Sequence, residues 1–166
     1  MQKCLFAVIA AGLAMGTAQA QSGNNEVRTG TVNAQVIRPL VLSHWNGYTL
    51  RFGRFTVGST AGTVTISSSG SASTGGGVTF VLGSSTAADR MIVTGDANRM
   101  ITITTGTGTV SNGAASMTFS TTPSLPAGYI PVFGSGYFTV GGTLVVASGQ
   151  APGTYSGTYP VTVAYN

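Results

Sequence analysis

The stretch Gly153-Thr154-Tyr155-Ser156-Gly157-Thr158-Tyr159-Pro160-Val161-Thr162-Val163-Ala164-Tyr165-Asn166 alternates up to its end. Odd positions carry Gly153, Tyr155, Gly157, Tyr159, Val161, Val163 and Tyr165, and even positions carry Thr154, Ser156, Thr158, Pro160, Thr162 and Ala164. A period of two is that of a half-buried β-strand, with one face in a core and one in water. A domain closing on such a strand is expected to leave a sheet position that its own chain does not fill, and an unfilled edge invites a strand from another molecule. Pro160 has no N–H to give to a ladder, which places this strand at an edge.

The same period runs outward from this stretch. Short β-branched runs predict strands near 31–42, 48–57, 62–67, 77–82, 90–94, 100–105, 115–120, 137–147 and 154–165. Turn signals separate them at Asn46-Gly47, Gly58-Ser59, Ser69-Gly70, Gly95-Asp96, Asn112-Gly113 and Ala151-Pro152-Gly153. No stretch keeps a helical rhythm, so the fold class is all-β, a single antiparallel β-sandwich. The glycine- and serine-rich segments 67–77 and 105–114 read as surface loops. In 48–57, Leu50 and Phe52 share one parity while Phe55 and Val57 share the other, which predicts a bulge at Gly53-Arg54. Arg51 and Arg54 then point outward beside inward Phe52 and Phe55.

Residues 1–20 read as a secretory signal: Lys3, the apolar run Leu5–Met15, then Ala18-Gln19-Ala20 as a small-x-small cleavage site. Eleven apolar residues are too few to cross a bilayer. No membrane span is therefore expected after cleavage, and Cys4 leaves with the signal. Residues 21–31 read as an N-terminal extension and 32–166 as the sandwich domain. The exported chain is expected in the periplasm and then at the cell surface.

Chemistry is sparse in residues 21–166. Arg28, Arg38, Arg51, Arg54, Arg90 and Arg99 are scattered against Glu26, Asp89 and Asp96, whereas nucleic-acid binders gather their cations on one face. His44 is the only histidine, and no G-x-S-x-G elbow accompanies it. It is expected to pack on an aromatic ring at a loop edge. Asp89 and Asp96 are expected to pair at the surface with Arg90 and Arg99, not to act as a glycosidase couple. The chain therefore predicts no enzyme, no catalytic residue, no cofactor and no metal site. Trp45 and Tyr48 stand near a loop where aromatic faces stack on sugars, but core packing is their expected role.

The order and spacing of several segments resemble the bacterial domain-of-unknown-function family 4402, whose members look like chaperone–usher pilin subunits. Pro39-Leu40 leads into Leu50-Arg51-Phe52-Gly53, followed by Gly62-Thr63-Val64-Thr65-Ile66-Ser67, Ala87-Ala88, Met91-Ile92-Val93-Thr94-Gly95 and Met100-Ile101-Thr102-Ile103. The most specific pieces are Phe138-Thr139-Val140-Gly141-Gly142-Thr143-Leu144 and Pro152–Tyr159 with the following Val161-Thr162-Val163 strand. The similarity covers nearly all of residues 21–166. A penultimate Tyr165 and a Gly153 fourteen places from the C-terminus also match the chaperone–usher pattern.

The resemblance implies an immunoglobulin-like sandwich lacking its last strand. Its assembly groove would be bordered by Gly153, Tyr155, Tyr159, Val161, Val163 and Tyr165. A periplasmic chaperone would fill the gap first, and the N-terminal extension of another copy would replace it after passage through an outer-membrane usher. The donor candidates are Val27, Thr29, Thr31 and Val32, with further alternation in Val32, Ala34 and Val36. The expected function is that of a fibre subunit for adhesion or biofilm, a homo-polymer built by strand exchange. The alternative is a secreted monomer that binds a carbohydrate or surface ligand through Trp45, Tyr48, Tyr129 or Tyr137.

Overall fold

The computed structural model describes Gly23, residues 27–131 and residues 133–166. The expected signal segment 1–20 lies outside the described residues. The chain divides into two units, 1–35 and 36–166. In the first, residues 27–35 are exposed and form no regular secondary structure.

The described residues of 36–166 hold eleven strands: β1 (Val41–His44), β2 (Phe55–Ile66), β3 (Ala72–Phe80), β4 (Asp89–Thr94), β5 (Met100–Thr105), β6 (Gly108–Asn112), β7 (Ala115–Pro123), β8 (Ala127–Tyr129), β9 (Ser135–Val146), β10 (Ser156–Thr158) and β11 (Val161–Tyr165). All pairings are antiparallel. The larger sheet runs β1-β4-β9-β7-β6-β10, with β2 and β3 joined to it through β9, and the smaller sheet runs β11-β5-β8. The protein is an all-β antiparallel sandwich.

β9 is the organiser, because its alternation survives for twelve residues. Its first half pairs with β4 (Asp89↔Val140 to Thr94↔Ser135), and its second half pairs with β2 (Gly62↔Val146 to Ile66↔Gly142). On its other edge it meets β7 (Phe119↔Leu144 to Pro123↔Val140). Phe138, Val140, Leu144 and Val146 therefore all face inward and are buried.

Two core clusters follow from this split. Met91, Val93, Phe138 and Val140 of the larger sheet close against Ile101, Ile103 and Ile130, with Val161, Val163 and Tyr165 packed alongside. Val64, Ile66, Val78, Met117, Phe119, Leu144 and Val146 form the other cluster, entirely from the larger sheet. Among the described residues, no strand of the smaller sheet packs against it. Its cover comes from Leu50, Phe52, Phe55, Val57, Tyr155 and Tyr159, which are half-buried.

Several boundaries differ from the sequence expectation. The expected strand 31–42 reduces to β1, which begins only after Pro39, a residue without a backbone donor. The expected strand 48–57 is a strand only from Phe55, with Arg51↔Ala87 as an isolated bridge before it. The phase flip at Gly53 is a left-handed residue, φ +79°, and not a bulge within a ladder. A Cβ there would collide with the Ser84 hydroxyl. That hydroxyl accepts the Arg54 backbone N–H at 2.7 Å, and the Arg54 guanidinium donates to the Gly83 carbonyl at 3.0 Å. The kink lets Leu50, Phe52, Phe55 and Val57 pack on one cluster despite their opposite parities.

The two segments expected as loops contain β6 and the first part of β3, whose end falls in the strand expected at 77–82. Glycine and serine depress strand propensity, but cross-strand pairing with β2 and β7 overrides it. The alternating stretch 154–165 is not one strand. It breaks at Tyr159-Pro160 into β10, which pairs with β6 of the larger sheet, and β11, which pairs with β5 of the smaller one.

Candidate functional site

The cluster that the smaller sheet leaves open borders a groove of about 1190 Å³. One wall is Thr49–Val57 and the other is Gln150–Tyr159, while Met117, Phe119 and Leu144 form the floor. Each wall is nine or ten residues long, so an extended segment of that length, roughly 30 Å, matches the groove. Among the described residues, no strand pairs with the outer edge of β10 or of β11. The groove thus joins apolar side chains to unpaired backbone, the two requirements for accepting a strand.

The Gln150–Tyr159 wall is tied down locally. The Tyr155 hydroxyl donates to the Ala151 carbonyl at 2.7 Å and accepts from the Gln150 side-chain amide at 2.8 Å. Gly153 sits between them at φ +155°, and a Cβ there would collide with the Asn112 side chain at the end of β6. Glycine at 153 is therefore fixed by sterics. On the floor, Phe119 meets Phe52 (centroids 5.7 Å, 64°) and Tyr159 (6.2 Å, 81°) edge to face, linking both walls to β7.

One end of the groove is polar. Asp89 is the single buried charged residue among the described residues, at 1 % exposure. Its carboxylate accepts the Tyr159 O–H at 2.7 Å and the Arg90 backbone N–H at 2.8 Å, and the His44 Nδ1 lies 3.8 Å away. The expectation that Asp89 pairs with Arg90 at the surface is overturned, because strand parity turns these neighbours to opposite faces of β4. Asp96 does pair with Arg99, at 3.2 Å. His44 stands at the end of β1 with a largely open side chain, beside the Asp89 carboxylate. Among the described residues, no hydroxyl hydrogen-bonds to it, and no group of three His, Cys, Asp or Glu could hold a metal ion.

Burial first, and then the hydrogen bond and charge of Asp89, raise the Tyr159 phenol well above its ordinary value near 10. A raised phenol contributes stability that is whole below about pH 10 and is lost as pH climbs through the folded-state value. In an alkaline titration followed by phenolate absorbance, the Tyr159 share is therefore expected to appear only as the fold is lost. Tyr159→Phe deletes a hydrogen bond to a buried carboxylate and is expected to lower the unfolding free energy by about 1.5–3 kcal/mol. Urea unfolding at neutral pH checks this, and a loss under 0.5 kcal/mol would show the bond to be replaceable.

The structure places the sequence-derived residues unevenly. Gly153, Tyr155 and Tyr159 line the groove. Val161, Val163 and Tyr165 belong to β11 and pack against the other cluster. Tyr165 is anchored there, donating to the Arg38 carbonyl at 2.8 Å and accepting the Asp96 N–H at 2.6 Å. Val27, Thr29, Thr31 and Val32 are exposed and lie in no strand. Sequence reasoning missed the Thr49–Val57 wall and Asp89. The paired parities of Leu50/Phe52 and Phe55/Val57 were the available signal for the wall. Trp45 and Tyr48, expected in the core, are 39 % exposed each and belong to neither cluster.

The profile of one protein family, described as a domain of unknown function (DUF4402), matches residues 42–165. No curated protein and no solved structure matches the chain.

Proposed function

The chain belongs to the DUF4402 family, and from that premise we propose that it is an exported structural subunit that joins other copies of itself by strand donation. The observation that supports this reading is the apolar groove between Thr49–Val57 and Gln150–Tyr159, lying over a core cluster that no strand of the smaller sheet covers. An incoming extended segment would take backbone bonds at the wall and lay alternate side chains on Met117, Phe119 and Leu144. In this reading the pilin-like sandwich lacks one strand. A periplasmic chaperone occupies the groove during export, an outer-membrane usher passes the subunit outward, and the extension of another copy then replaces the chaperone. Val27, Thr29, Thr31 and Val32 supply the donor face. The resulting surface fibre serves adhesion or biofilm.

The test separates donating from accepting. Residues 21–166 at high concentration are expected to form end-to-end polymers, visible by electron microscopy and in the void volume of a sizing column. A chain lacking residues 21–35 keeps the groove but has no donor, so it should stay monomeric and should cap polymers of the longer chain. Equal polymerisation by the shortened chain would remove strand donation from consideration.

A further inference from the structure

On the face of the larger sheet opposite the core lies a second cluster. β4 turns Asp89, Met91 and Val93 inward, so Arg90 projects to the other side. Its guanidinium carbon is 4.6 Å from the Tyr48 ring centroid, 5.2 Å from that of Tyr137 and 5.4 Å from that of Trp45. Trp45 and Tyr137 meet edge to face with centroids 6.0 Å apart at 83°. The backbone holds these rings in place. The Trp45 N–H donates to the Arg90 carbonyl at 2.9 Å, the Tyr48 N–H donates to the Trp45 carbonyl at 3.1 Å, and Tyr137 stands opposite Ile92 on β9. All three rings stay open to water, Tyr137 the most at 63 %.

We infer that this cluster binds an acidic sugar, a pyranose bearing a carboxylate within a polysaccharide. The rings supply fixed aromatic walls against which the C–H faces of a pyranose pack, and their ordering cost is already met by folding. The charge argues for the acid. Arg90 Nε is buried and has no hydrogen-bond partner. Among the described residues, neither available acid serves the guanidinium: the Asp89 carboxylate is turned inward onto Tyr159, and Asp96 pairs with Arg99. The cation is therefore offset only by ring quadrupoles, whose attraction does not cancel its charge. A carboxylate entering between exposed rings would form charge-assisted bonds with it, whereas a neutral sugar would gain only the stacking. None of Trp45, Tyr48 and Tyr137 lines the groove, so this site would stay open when the groove is filled.

Trp45 is the only tryptophan in the chain, so its fluorescence reports on this site. Titration of residues 21–166 with trigalacturonic acid is expected to give a saturable fluorescence change, matched by calorimetry. Maltotriose should bind at least about tenfold more weakly, which is the loss of one charged contact worth roughly 1.4 kcal/mol. Tyr137→Ala and, separately, Tyr48→Ala should weaken the acidic sugar by a similar factor while leaving the far-UV spectrum and groove-dependent assembly intact. No saturable change with the acid, equal affinity for maltotriose, or full binding by both variants would each overturn the assignment.

Discussion

A peptide of residues 21–36, added to residues 21–166 at 100 to 1,000 times its dissociation constant, is expected to raise the unfolding free energy by about 2.7–4.1 kcal/mol. The size follows from mass action alone, provided the peptide binds the folded chain and not the unfolded one. The structural ground is the half-buried state of Leu50, Phe52, Phe55, Val57, Tyr155 and Tyr159, which pack on the core from one side only. Covering them removes further apolar area from water, at about 25 cal/mol per Å². Thermal unfolding with and without peptide, the chain being held dilute enough to remain monomeric, reads the effect. A scrambled peptide should do nothing. A midpoint that ignores saturating native peptide would mean that the groove does not accept this segment, and strand donation from residues 21–36 would fall.

Phe119→Ala is expected to cost about 3–5 kcal/mol. Phe119 is 4 % exposed on β7, and it is the ring against which Phe52 and Tyr159 lean from opposite walls of the groove. Its removal deletes a core side chain and both edge-to-face contacts, and the rigid sheet around it can collapse only partly into the space. The same change roughens the groove floor, so the stabilisation by the 21–36 peptide should shrink as well. Urea unfolding with an unchanged slope reads the first effect, and the peptide titration of the variant reads the second. If the variant lost under 1 kcal/mol, the groove-floor cluster would not be a cooperative part of the core.

Much of the fold was legible. The strands at 90–94, 100–105, 115–120 and 137–147 are found within two or three residues, because each has one clean apolar face that must be buried. β6 and the first part of β3 were not, because their glycine and serine content is weak locally and is rescued only by cross-strand pairing. The candidate groove was half legible. Gly153, Tyr155 and Tyr159 were singled out through the family resemblance, but the opposite wall lies about a hundred residues earlier, and nothing local announces that the two face each other. Asp89 was misplaced for a related reason. Its neighbour Arg90 suggested an ion pair, whereas strand parity sends adjacent residues to opposite faces.

The sequence by itself determined the class: a period of two, dense turn residues and no helical rhythm leave an antiparallel β-sandwich as the only way to bury these side chains. It also shows a chain sparing in titratable groups, with one histidine, three acidic residues and no G-x-S-x-G elbow. Tertiary structure alone decided where the final alternating stretch divides between the sheets. Period records which face of a strand is apolar, and both β10 and β11 satisfy it, but period carries no information about which neighbour the edge meets. Tertiary structure likewise decided that one core cluster is closed by the smaller sheet and the other is left as a groove. Whether a surface is covered depends on contacts between residues far apart in the chain, and those exist only once the chain has folded.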